Sequence, residues 1–224
     1  VSVSGGSVAE PLLVAIYEEL IRVGAYPLLR MTPPGLSEVF MASRWQHHFA
    51  ALPAYAKALA ETTDASISVH SQTNTRELSA ADPKKEAALA RTQAPLSAIA
   101  MRKPWVLTLY PTTAYAQDAE MSLRAFEDFV YGATFANTED PVGAWRAVHR
   151  RQAKLIARLR GADEIRIVGP DTDLKLSVKG RVFVNSDGRH NMPSGEVFTG
   201  PVETSAEGHI RYDYPVCRQG REVE

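Results

Sequence analysis

The chain has 224 residues, a formal net charge of −1, 45% apolar and 23% charged residues. That composition is that of a soluble globular protein, and the length is ample for a core in one large domain or one domain plus part of another. A chain this close to neutral carries no overall field to draw in nucleic acid or an acidic membrane, and no apolar run approaches bilayer-spanning length. The single Cys217 excludes an internal disulfide and any Cys-rich zinc site, which fits a reducing compartment. Val1 to Ser7 does not have the shape of a signal peptide.

Val1-Ser2-Val3 reads as a strand, followed by Ser4-Gly5-Gly6-Ser7. Ser7 and Glu10 have capping-box spacing, and Leu12, Ile16, Leu20 and Val23 recur on one helical face up to Gly24. Pro27–Met31 is a second strand. Strand, helix and strand on short links make a βαβ unit, which requires parallel strands and a right-handed crossover. The Gly5-Gly6 pair lacks the spacing of a dinucleotide or phosphate loop. Leu36–Phe49 is expected to be helical. Pro53 starts another helix that runs to Thr62. His47 and His48 are adjacent, so on a helix they diverge and do not form a paired chelate.

Ala65–His70 alternates Ile67 and Val69 against Ser66 and Ser68, the pattern of a third strand. Asp82-Pro83 begins an alanine-rich helix to Met101. Trp105–Tyr110, apolar on both faces and set between prolines, has the look of a buried parallel strand. A helix is expected over Ala119–Phe135, with Leu123, Phe126 and Val130 on one side. Asp140 caps a longer helix that begins at Pro141 and ends at Gly161, with Val142, Trp145, Leu155, Ile156 and Leu159 as its apolar stripe. Arg146, Arg150, Arg151, Lys154 and Arg158 lie on the same helix. Without interleaved aromatics they read as a solvated or subunit-facing surface rather than a nucleic-acid track.

Beyond Gly161 the helices stop. Glu164–Val168, Asp173–Val178 and Arg181–Val184 are short β segments joined by turns, with Tyr212–Pro215 as a further candidate. The predicted fold class is therefore α/β: an N-terminal domain over residues 1–160 with a mainly parallel sheet flanked by helices, then the β-rich start of a second domain over residues 161–224. Glu203, Glu207 and His209 could in principle complete a metal site, but their spacing matches no zinc pattern.

One stretch concentrates the chemistry, His190-Asn191-Met192-Pro193-Ser194-Gly195-Glu196-Val197-Phe198-Thr199-Gly200-Pro201. Turns at Pro193–Gly195 and Gly200-Pro201 bracket a single carboxylate, and such turns fix the direction in which a side chain between them points. Glu196 suits a metal ligand or a general base. It equally suits an ordinary surface loop with a solvated acid.

The stretch resembles the N-M-P-x-G-E-V-F-T-x-P motif of the thermophilic-type metalloaminopeptidases, the family of aminopeptidases T, S and II. Glu139-Asp140-Pro141-Val142-Gly143-Ala144-Trp145 is similar to the family's E-D-P-x-x-x-W, and Gly169-Pro170-Asp171-Thr172-Asp173-Leu174 to its G-x-x-T-D-L. The resemblance implies hydrolysis of N-terminal residues from peptides by a cytoplasmic homodimer with two divalent metal ions, zinc or cobalt first and manganese or magnesium as alternatives. It implies that Glu196 is a metal ligand of a catalytic domain that begins in residues 161–224. It also implies that a second Glu, two His, a Tyr and an Asp should follow this motif. The stretch that carries that set does not occur before Glu224, so the sequence is expected to be an N-terminal fragment, inactive by itself. The alternative is a non-catalytic α/β module that binds a small anion or nucleotide at the strand ends near Ser4–Ser7.

Overall fold

In a computed structural model of the chain, residues 1–213 are described, together with the backbone of Val216–Arg218 and Arg221–Val223. Two compact units are formed: Val1–Tyr131 together with Arg218–Arg221, and Gly132–Cys217 together with Glu222–Glu224.

The first unit contains β1 (Ser2–Gly6), α1 (Glu10–Arg22), β2 (Leu28–Thr32), α2 (Leu36–Met41), α3 (His47–Ala50), α4 (Ala54–Thr62), β3 (Ser66–His70), α5 (Pro83–Ala100), β4 (Trp105–Leu109) and α6 (Thr113–Asp118), and is followed by α7 (Leu123–Ala133). Its four strands lie in the order β2-β1-β3-β4 and are all parallel, as the βαβ pattern predicts. Side chains alternate across this sheet, and the two faces differ. Val3, Leu29 and Val69 on one face meet Leu12, Leu13 and Ile16 of α1. Leu13 and Val3 are fully buried, and each such side chain contributes about 1.5–3 kcal/mol of transfer free energy. The other face presents Ser2 and Ser66 toward α4 and α5. Lys103, just before β4, donates to the carbonyls of Ala60, Glu61 and Thr63 at 2.8, 2.7 and 2.5 Å, closing the end of α4.

The second unit contains α8 (Pro141–Leu159), β5 (Glu164–Gly169), β6 (Thr172–Ser177), β7 (Val184–Ser186), β8 (Asn191–Met192), β9 (Glu196–Phe198) and β10 (Glu207–His209). Its pairings β10-β6-β5 and β7-β9 are antiparallel, in keeping with the change of pattern read in the sequence. The sequence pattern changes after Gly161, whereas the compact units divide at Tyr131, because α8 packs on β7 and β9.

Several elements differ from expectation for identifiable reasons. Ser7 does not cap α1; it opens a 3-10 turn, Ser7–Ala9, and the helix proper begins at Glu10. Val23 is exposed, and Leu13 rather than Val23 anchors the helix. The helix expected over Leu36–Phe49 breaks into α2 and α3. Between them the Ser43 hydroxyl accepts from the Trp45 backbone at 3.2 Å and pairs with His48 Nδ1 at 2.7 Å, competing with helical bonding. The helix expected over Ala119–Phe135 is α7 alone and starts only at Leu123, because the chain first turns after α6, with Glu120 at φ +56°. The strand expected at Arg181–Val184 begins only at Val184, because Arg181 closes a turn onto the Val178 carbonyl at 3.0 Å. The last two residues of the strand expected at Tyr212–Pro215 lie outside the described residues.

Candidate functional site

Asp140 caps α8 as its sequence predicts, with Oδ1 accepting from the Gly143 backbone at 2.8 Å and Pro141 in the first turn. Trp145 then falls on the buried face. Its indole donates to the Thr134 carbonyl at 3.0 Å, and its ring meets Phe135 edge-on at 5.3 Å. One turn further on, Val148 and Gln152 are also buried, whereas Val142 and Leu155 of the expected stripe are exposed. The inward row is thus Trp145, Val148 and Gln152, with a polar amide at its C-terminal end. Arg146, Arg150, Arg151, Lys154 and Arg158 are all exposed.

Gln152 is the link between helix and hairpin. Its Nε2 donates to the Ser186 carbonyl at 3.1 Å and to the Glu196 carbonyl. Ser186 and Glu196 stand opposite each other in the β7-β9 register. Three further bonds tie the hairpin: Gly195 N–H to the Ser186 carbonyl at 3.0 Å, the Ser186 and Ser194 hydroxyls at 2.7 Å, and the Thr199 hydroxyl to the Val182 carbonyl at 2.9 Å. Gly195 has φ +113°, a conformation that an L side chain rarely adopts, and this turn delivers the chain into β9.

A second tie runs through Asp187. Its carboxylate, only 8% exposed, accepts from His149 Nδ1 of α8 at 2.7 Å and from Arg189 Nε at 3.2 Å. The Asn185 side chain donates to the His149 carbonyl at 3.1 Å. Burying a carboxylate is costly unless it is paired, and these two cations or donors supply the pairing.

Glu196 itself is exposed, and its carboxylate makes no hydrogen bond or ion pair among the described residues. The backbone is held and the acid is free. Of the other acids considered as ligands, Glu203 is drawn to Arg181 at 2.7 Å, and its carboxyl lies below the usual range through a backbone hydrogen bond and that guanidinium. Glu207 and His209 lie on β10 opposite Lys175 and Asp173. Among the described residues no group of three or more His, Cys, Asp or Glu gathers as a metal site. His47 and His48 touch edge-on at 4.4 Å, with His48 stacked on Phe40 at 5.8 Å, which is packing and not chelation. In the third motif, Asp173 receives two bonds of 2.7 Å from Arg166, and this guanidinium holds its carboxyl below the usual range.

A model of the family described as thermophilic metalloprotease (M29) matches residues 1–224. The chain belongs to that family. Among curated relatives, it is 32% identical over 133 residues to aminopeptidase T of Thermus thermophilus, an alignment covering 54% of this chain and 31% of that protein. It is 29% identical over 190 residues to aminopeptidase 2 of Geobacillus stearothermophilus, covering 74% of this chain and 46% of that one. The chain thus spans about a third to a half of the length of the curated relatives it matches. Its fold is similar to that of wild-type AmpT from Thermus thermophilus, with a TM-score of 0.78 at 20% identity, over 100% of this chain and 62% of that one. At that identity the likeness shows the fold alone.

Gln152 and Asp187 were not among the residues singled out in the sequence. Gln152 had a signal: it falls seven positions after Trp145 and four after Val148, so a polar amide occupies the apolar row. Asp187 had only the Asp-Gly pair of a turn.

Proposed function

We propose that the chain is part of a metal-dependent aminopeptidase, which removes N-terminal residues from peptides, and that Glu196 supplies one carboxylate ligand to a two-metal centre. The observation that carries this reading is the state of Glu196 within the M29 motif: a free, exposed carboxylate on a hairpin whose backbone is clamped from α8. A carboxylate oxygen is a suitable hard donor for a divalent ion, so the residue fits the role of ligand. It fits as one ligand only, because each catalytic ion needs several protein donors and no group of three gathers among the described residues. When bound, such ions lower the pKa of a water and polarise the scissile carbonyl.

The chain's own contribution is positional. Gln152 fixes the carbonyls on both sides of the hairpin, and the His149–Asp187 contact holds α8 to the end of β7, so the Glu196 carboxylate is offered from a preset backbone. On the family resemblance, the ions are zinc or cobalt, with manganese or magnesium compatible with an oxygen-rich set. The enzyme is a cytoplasmic homodimer, and peptides with a free N-terminus are its substrates.

The test is hydrolysis of a chromogenic aminoacyl anilide by the intact enzyme. Activity should vanish with a chelator, return with added zinc or cobalt, and be absent on the N-acetylated substrate. Cleavage that persists in chelator would remove the metallopeptidase reading.

A further inference from the structure

The strand order β2-β1-β3-β4 has a specific consequence at the carboxyl ends of the strands. From β1 the chain passes to β2 on one side, and from β2 it crosses over β1 to β3 on the other. The segments that leave β1 and β3 therefore diverge, and a crevice opens between them; open parallel sheets bind ligands at such a reversal of strand order. Here the crevice is a cavity of about 260 Å³, built from the ends of β1, β2 and β3.

Its chemistry is unsuited to an anion. The Gly6 N–H, which a phosphate loop would offer, is already given to the Ser71 hydroxyl at 2.8 Å. A Cβ on Gly6 would stand 2.8 Å from that oxygen, so the glycine is required by the close approach of β1 to β3. Neither lysine nor arginine lines the cavity among the described residues. Besides Ser71, the polar lining is Ser7, Thr32, Ser37, His70, Gln72 and Thr73, together with one carboxylate, Glu77. The Oε1 of Glu77 is buried and has no hydrogen-bond partner among the described residues. An ionised carboxylate only accepts, so the complement of this atom is a donor, and a charged donor offsets its desolvation far better than a neutral one.

We propose that this crevice binds a small molecule carrying a protonated amine, with Glu77 as its counter-charge and the surrounding hydroxyls as hydrogen-bond partners. The cavity volume limits the ligand to roughly the size of an amino acid or smaller. The proposal concerns the first unit alone and does not depend on Glu196, on a metal, or on peptidase activity. It places at the strand ends the opposite charge preference from the anion-binding module considered from the sequence.

The experiment is calorimetric titration of the full chain, in buffer containing a chelator, with ethanolamine, ethylene glycol and inorganic phosphate. Ethanolamine and ethylene glycol differ by the exchange of one ammonium for a hydroxyl, so the comparison isolates the charge. Ethanolamine should bind saturably, with ethylene glycol and phosphate at least about tenfold weaker. Glu77→Gln should weaken ethanolamine at least about tenfold while leaving the far-ultraviolet circular dichroism unchanged. Absence of ethanolamine binding, equal binding by Glu77→Gln, or preference for phosphate or ethylene glycol would overturn the proposal. If Glu77→Gln does not fold, amide NMR shifts of the wild-type chain decide instead. Ethanolamine should move Gly6, Ser7 and Thr73, and shifts confined to other residues would overturn the assignment.

Discussion

The side-chain amide of Gln152 in α8 donates to the backbone carbonyl of Glu196 at the start of β9. The same nitrogen reaches the Ser186 carbonyl at 3.1 Å, so one helix residue holds both strands of the hairpin. Removing the donor takes this partner from the Glu196 carbonyl and leaves the Ser186 carbonyl with the Gly195 N–H, beside a buried side chain. Gln152→Leu should therefore lower the unfolding free energy by about 1–3 kcal/mol in urea denaturation. In the intact enzyme the same change should weaken metal binding without touching any proposed ligand. Unchanged stability would show that the clamp contributes nothing.

The strands and long helices were legible in the sequence because local signals and tertiary packing agree there. Ser66 and Ser68 alternating with Ile67 and Val69 describe a strand between two different layers, and Asp140-Pro141 describes a cap with a preset first turn. The break at Ser43 and the late start of α7 after Glu120 were not legible, since they depend on local hydrogen bonds or one backbone angle within otherwise helix-compatible sequence. At the candidate site, Glu196 could be singled out by the turns around it. The hairpin's supports could not, because Gln152 reaches Glu196 over 44 residues of sequence and His149 reaches Asp187 over 38, through contacts that only the fold creates.

Lys103 makes a different kind of closure. Its ammonium satisfies three carbonyls at the end of α4, where an α-helix leaves acceptors without partners. Lys103→Met keeps the apolar stem and removes the donors. A loss of about 1–2 kcal/mol is expected, measured by denaturant unfolding. A variant as stable as the wild type would show that water replaces the lysine fully.

The Arg166–Asp173 pair predicts a pH response with a definite sign. Two hydrogen bonds from Arg166, together with its charge, lower the Asp173 pKa in the folded protein. The pair's contribution is therefore present above the ordinary carboxylate range and is lost as pH falls through the lowered pKa. Arg166→Gln should move the Asp173 carboxyl titration, followed by carbon NMR, to higher pH. The stability change should be small, since both groups are solvent-exposed. An unmoved titration would show that the guanidinium is not the cause.

The 224 residues by themselves should bind zinc or cobalt weakly and show no aminopeptidase turnover. Glu196 is a single donor, Glu203 is engaged with Arg181, and no cluster of three donors forms among the described residues. Purified chain assayed with added metal checks this. Robust, chelator-sensitive hydrolysis would mean that Glu203, Glu207, His209 or other groups complete a site within the chain.

The role of Glu196 is tested most directly by Glu196→Gln in the intact enzyme, with metal content and turnover measured on the same preparation. The substitution preserves shape and removes the charge that offsets a divalent ion. As a surface acid, Glu196 would tolerate it with a stability change of no more than about half a kcal/mol and no loss of activity. As a ligand, it should lose metal and turnover together, by roughly tenfold or more, with excess metal restoring part of both and folding intact. Full metal content and full activity in Glu196→Gln would contradict the assignment.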